Sequence, residues 1–188
     1  AQARAHQDQQ RSVQWRYNNA VERSKRYPKR IASAKLDLET FDLHAAQVPK
    51  GHKVDISILG KKYTETDAAA TALWSALKAH ATPRDSVTMS PPLATYMGFE
   101  IRAKESNYEG ESYILSVNRP GAEDKYQIDL GMSLEGNLTR VKNLRNHIES
   151  AIKNLSYSAE TNERELVQWR KQLNTPFDKQ HELDAKRE

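Results

Sequence analysis

The sequence has 188 residues, 37 % hydrophobic and 29 % charged, with a formal net charge of +4 and no cysteine. That length suits one domain or a compact domain with helical extensions, and the missing cysteine excludes disulfides, thiolate metal sites and cysteine nucleophiles. No apolar run approaches the ~20 residues that span a bilayer, and the polar opening AQARAHQDQQRS lacks the apolar stretch of a signal peptide. A cytoplasmic protein without membrane contact is the expectation.

Charge is unevenly spread. Residues 1–35 hold nine basic side chains against Asp8 and Glu22, so an acidic partner would meet the N-terminal arm. The same stretch carries a heptad seam: Val13, Tyr17, Ala20, Ser24, Tyr27, Ile31, Ala34, Leu38, Phe41 and Ala45 follow alternating steps of four and three. Pro28 interrupts this helix and predicts a kink or break near residues 26–28. The seam keeps its phase across the proline, which favours a kink.

Between residues 52 and 131 the period drops to two. Val54, Ile56 and Ile58 alternate with polar residues, and Gly60-Lys61-Lys62 turns the chain into Tyr63-Thr64. An alanine-rich helix follows over residues 68–80, capped by Thr66 or Asp67. Residues 82–92 read as a loop. Strands are expected at residues 95–104, 111–118 and 125–130, with turns at 107–110 and 120–121. This ββα-βββ order implies an α+β fold with a small, mainly antiparallel sheet.

The last segment, residues 133–188, returns to the heptad. Leu134, Leu138, Val141, Arg145, Ile148, Ile152, Leu155, Ala159, Asn162, Leu166, Trp169 and Leu173 form one seam, with Ser133 as N-cap and a break near Pro176. A single helix of that length would span roughly 60 Å. Arg145 and Asn162 are its polar positions, the kind that fixes register. The N-terminal helix (residues 1–48) and this one are expected to flank the sheet as an antiparallel coiled-coil-like pair.

Enzyme signatures are sparse. Neither a GxxxxGK[ST] loop nor a GxGxxG turn occurs, and the six histidines (His6, His44, His52, His80, His147, His181) show no metal-ligand spacing. Ser90-Pro91-Pro92-Leu93 is similar to the (Asp/Asn/Ser)-Pro-Pro-aromatic motif of amino-group methyltransferases. Its fourth residue lacks the flat face that holds a flipped base. No catalytic residue, metal or cofactor is assigned. The partner with a physical basis is DNA: Arg23, Lys25, Arg26, Lys29 and Arg30 surround Tyr27 and offer charge to phosphates.

Several short motifs add a resemblance. Ile56-x-Ile58-x-Gly60-x-x-Tyr63-Thr64, Tyr96-x-Gly98-Phe99-Glu100 and Gly131-x-Ser133-x-x-Gly136-Asn137-Leu138-Thr139-Arg140-Val141-x-Asn143 occur in order, followed by Pro176-Phe177 and His181-Glu182-Leu183. Over residues 30–188 the chain resembles the C-terminal region of the very large SNF2-like helicases fused to N6-adenine DNA methylases of phages and conjugative elements. It departs from the family at Thr66-Asp67-Ala68-Ala69-Ala70, where a basic residue and Glu-Ala-Gly are common, and at Lys142, where an acid is common. The resemblance implies ATP and S-adenosylmethionine for the parent protein, whose catalysis belongs to motor and methylase segments outside this chain, and it says nothing of catalysis by this segment. The ending on Lys186-Arg187-Glu188, inside a charged helical pattern, gives the expectation of a piece of a longer protein.

Gly136 in a first helical turn costs up to about 1 kcal/mol against alanine, which suggests close approach of a neighbour such as a strand. Arg140 and Asn143 share a helix face and are expected to hold sheet carbonyls, with a phosphate as the other option. The expected role is an accessory, docking or DNA-contacting module. Its partners would be DNA, the other domains of the parent, or a second copy through the helices. The other class of function is a purely structural oligomerisation or protein-interaction domain.

Overall fold

A computed structural model describes residues 2–106 and 112–175, with side chains described from residue 4. The expectations for residues 107–111 and for the segment from Pro176 onward lie outside the described residues. The elements run α1 (Gln2–Ala46), β1 (Ile56–Ile58), β2 (Lys61–Tyr63), α2 (Thr66–His80), β3 (Ala94–Tyr96), β4 (Phe99–Glu105), β5 (Tyr113–Asn118), β6 (Tyr126–Asp129), α3 (Leu134–Lys142) and α4 (Leu144–Asn174). The fold is α+β, with long terminal helices and one antiparallel sheet in the order β2-β1-β3-β4-β5-β6. No helix among the described residues is long and apolar enough to cross a membrane.

The chain divides into two units, Ala1–Ile31 with Lys153–Glu188, and Ala32–Ile152. In the first, α1 and α4 pair antiparallel: Arg16 lies over the Trp169 ring at 5.1 Å, and farther along α1, Ala20 and Arg23 meet Asn162. Ala20, Asn162 and Leu166 are buried there. Asn162 holds this register as a polar seam residue should. Its Nδ2 donates to the Ala20 carbonyl (2.8 Å) and its Oδ1 accepts from Arg23 Nε (2.9 Å). Helix α1 continues through Pro28 with no break in its residue range; the proline deprives the Ser24 carbonyl of a donor.

The second unit holds the sheet. One face is apolar: Ile56 and Ile58 on β1, Phe99, Ile101 and Ala103 on β4, Leu115 and Val117 on β5, and Ile128 on β6 are buried. Ala69, Ala70, Leu73, Ala76 and Leu77 of α2 join the same core, as do Leu138 and Val141 of α3 and Leu144 and Ile148 of α4. Trp74 meets Tyr113 edge-on at 5.7 Å, and Phe41 of α1 meets Tyr96 at 5.9 Å.

The stretch expected as one strand over residues 95–104 is two strands. Met97 (φ 49°) and Gly98 (φ 83°) form a two-residue turn, so Tyr96 pairs with Phe99. Both central residues have positive φ, which gives the twist that suits a tight hairpin. The first hairpin is built likewise: Leu59 (φ 49°) and Gly60 (φ 80°) make the turn, while Lys61 and Lys62 belong to β2. The turn expected at Gly60-Lys61-Lys62 therefore comes one residue early, and the order is ββα-ββββ.

The single helix expected from Leu134 is also corrected. Asn143 ends α3 with φ −80° and ψ 9°, and its carbonyl then accepts the N–H groups of Asn146 and His147 to begin α4. The seam changes at one position of this junction and resumes at Ile148. Leu144 takes the buried position, and Arg145 turns outward to Asp42 and Glu149. At the head of α2, Glu65 occupies the cap position and makes no side-chain cap, so neither Thr66 nor Asp67 caps this helix. Ser133 does cap α3, accepting from the Gly136 N–H at 3.1 Å.

Candidate nucleic-acid interface

The basic cluster on α1 belongs to the two-helix unit. Among its members, Arg23 is tied across to α4, by Nε to Asn162 and by a second nitrogen to Glu165 (3.1 Å). Lys25 pairs with Glu22 along its own helix at 3.0 Å, which holds the Glu22 carboxyl below the usual carboxylate range. Ser24 donates to Glu163 across the pair. Arg26, Lys29 and Arg30 are exposed.

Between α1 and α4 lies a shallow cleft of about 320 Å³, lined by Arg23, Tyr27, Tyr157, Ser158, Thr161, Asn162 and Glu165. Tyr27 is half-buried in the seam. Tyr157 is 67 % exposed. The sequence pointed to the arginines and Tyr27 but not to Tyr157, Thr161 and Glu165. An aromatic off the seam of α4 was the available signal, and its neighbourhood depends on pairing residues some 130 positions apart.

Arg140 and Asn143 belong to the sheet-bearing unit and do structural work there. Arg140 donates to the Asp129 carbonyl at the end of β6 (3.1 Å). Asn137 is buried and brackets one residue: its Oδ1 accepts from the Gly131 N–H and its Nδ2 donates to the Gly131 carbonyl, both at 2.8 Å. Asn143 is exposed and forms the α3–α4 junction. A Cβ on Gly136 would meet the Ser133 side chain at 3.1 Å. The close neighbour of Gly136 is thus the helix's own cap and not a strand. Together the Gly131–Asn143 motif fastens the end of β6 to α3.

Three further motif positions are hairpin residues. Gly98 needs its positive φ, and a Cβ there would lie 2.6 Å from the His44 ring. Phe99 behind it is fully buried. Tyr63, half-buried, faces Ile56 across the first hairpin, with the Lys61 ammonium 5.3 Å from its ring. The Ser90-Pro91-Pro92-Leu93 loop is pinned by Thr82, whose hydroxyl bonds Ser90 twice, and by Leu93, whose N–H donates to Ile101. Among the described residues no group of three or more His, Asp or Glu is placed to hold a metal ion.

No protein-family model, curated protein or solved structure matches this chain.

Proposed function

We propose that the chain is a non-catalytic accessory module that contacts DNA, at the C-terminal end of a large helicase–methyltransferase of a mobile genetic element. The observation supporting DNA contact is the placement of charge. Over residues 4–31, α1 carries eight basic side chains against Asp8 and Glu22; Arg26, Lys29 and Arg30 are exposed, and Arg23 lines the Tyr27–Tyr157 cleft. Cations along a helix suit phosphates, and an exposed tyrosine suits an unpaired base. The parent's identity rests on the resemblance in the sequence, with ATP and S-adenosylmethionine serving its motor and methylase segments. In this chain the α1 and α4 seams already meet each other, which favours an accessory role over an intermolecular bundle.

Fluorescence anisotropy with labelled single-stranded and duplex DNA, at rising salt, tests the reading. Binding should weaken steeply with salt. Arg26→Ala with Lys29→Ala should lower the salt slope by about one for each phosphate no longer neutralised. Tyr157→Ala should weaken the single strand more than the duplex. No affinity at low salt overturns DNA contact.

A further inference from the structure

Within the sheet-bearing unit, α1 uses Ala34, Leu38 and Phe41 against the core. A second stripe runs along the other side of the same helix. Ala32, Leu36, Glu39, Leu43 and Ala46 follow steps of four, three, four and three, and all five are exposed, Leu36 at 47 % and Leu43 at 65 %. A lone exposed leucine is ordinary. Two leucines seven apart, between alanines and around one carboxylate, make the seam of a helix pair.

Two carboxylates, Glu39 and Asp42, stand beside Leu43 and Ala46 on this open helix face. Asp42 is already engaged by Arg145 (2.8 Å), whereas no hydrogen bond or ion pair engages Glu39 among the described residues. A lysine or arginine on a partner helix suits such a face, laying its methylene stem on Leu43 and Ala46 and its cation on Glu39.

We propose that this stripe is a docking seam for an amphipathic partner helix, which presents apolar side chains to Leu36 and Leu43 and a lysine or arginine to Glu39. A second copy of the chain fits poorly. Antiparallel self-pairing matches Leu36 with Leu43 but sets Glu39 against Glu39, and parallel pairing repeats the same repulsion. The seam is independent of DNA contact, because its residues and the basic cluster share no side chain.

The probe is a synthetic three-heptad helical peptide with leucines at heptad spacing and a central lysine, compared with a twin carrying a central glutamate. Binding to the whole chain is read by anisotropy. The lysine peptide should bind at least about tenfold tighter than its twin, and Glu39→Lys should invert that preference. Leu43→Glu should remove binding with helix content by circular dichroism unchanged. Equal binding of the two peptides, or no inversion by Glu39→Lys, overturns the proposal. So does a dimer in sedimentation that Leu43→Glu dissolves, since the seam would then belong to a second copy.

Discussion

Tyr126 donates a 2.7 Å hydrogen bond from its hydroxyl to Asp37, joining β6 to α1 across 89 positions of sequence. The other Asp37 oxygen accepts from Arg119 Nε at 2.8 Å, and the carboxylate is 1 % exposed. An ionised group this deep is tolerated because both oxygens are engaged. Tyr126→Phe removes one bond and should cost about 1–2 kcal/mol. Asp37→Ala strands both donors and should cost about 3 kcal/mol or more. Urea denaturation of the two variants checks the order, and equal costs would contradict it.

The same contact predicts alkaline sensitivity. Burial, with the neighbouring Asp37 carboxylate, pushes the Tyr126 hydroxyl well above its ordinary value of 10.0. Burial, aided by Asp55, pushes Tyr96 up to about 12. Both pKa values are raised in the folded state, so their stabilisation is complete below pH 10 and is lost as pH rises through the folded values. Unfolding free energy should fall from about pH 10 upward, and Tyr96→Phe should flatten part of that fall. Denaturation curves at stepped pH, with tyrosinate absorbance, give the measurement.

Asn137→Ala tests the clamp at the end of β6. The substitution leaves the Gly131 N–H and carbonyl without the amide that holds both, a loss of about 2–3 kcal/mol if neither finds a replacement. Arg140→Ala, at an exposed position with one bond to Asp129, should cost under about 1.5 kcal/mol. Thermal melts of the pair should preserve that ranking.

The two hairpin glycines make an internal comparison. Gly60→Ala adds a Cβ in open space at φ 80°, whereas Gly98→Ala adds one at φ 83° against the His44 ring. Each carries the left-handed strain of about 1–2 kcal/mol, and Gly98→Ala should cost more. Adding His44→Ala should bring the second cost down to the first. A double-mutant cycle reads that coupling.

Periodicity alone settled much of this protein. The two long seams, the central change of period and the polar Asn162 in its seam are local patterns. They follow from which residues must turn away from water, and the α+β class and antiparallel sheet follow from them. The tight turn at Met97-Gly98 was also written there, though easily missed. Ala94 and Tyr96 face the core with one parity, and Phe99, Ile101 and Ala103 with the other; only a two-residue turn reconciles them.

Other features depended on tertiary structure, because they join residues far apart in the chain. Nothing near Asp37 announces that Arg119 and Tyr126 will bury its charge, and nothing near Tyr157 announces Tyr27. Arg140 and Asn143 share a helix face by spacing, and Arg140 holds a strand carbonyl as expected, whereas Asn143 forms a helix junction that spacing alone does not show. The long C-terminal seam read as one helix because a heptad count cannot register the single residue by which Leu144 replaces Arg145 in the core. Burial decided that exchange: an apolar side chain gains by leaving water, whereas a guanidinium needs partners to do so.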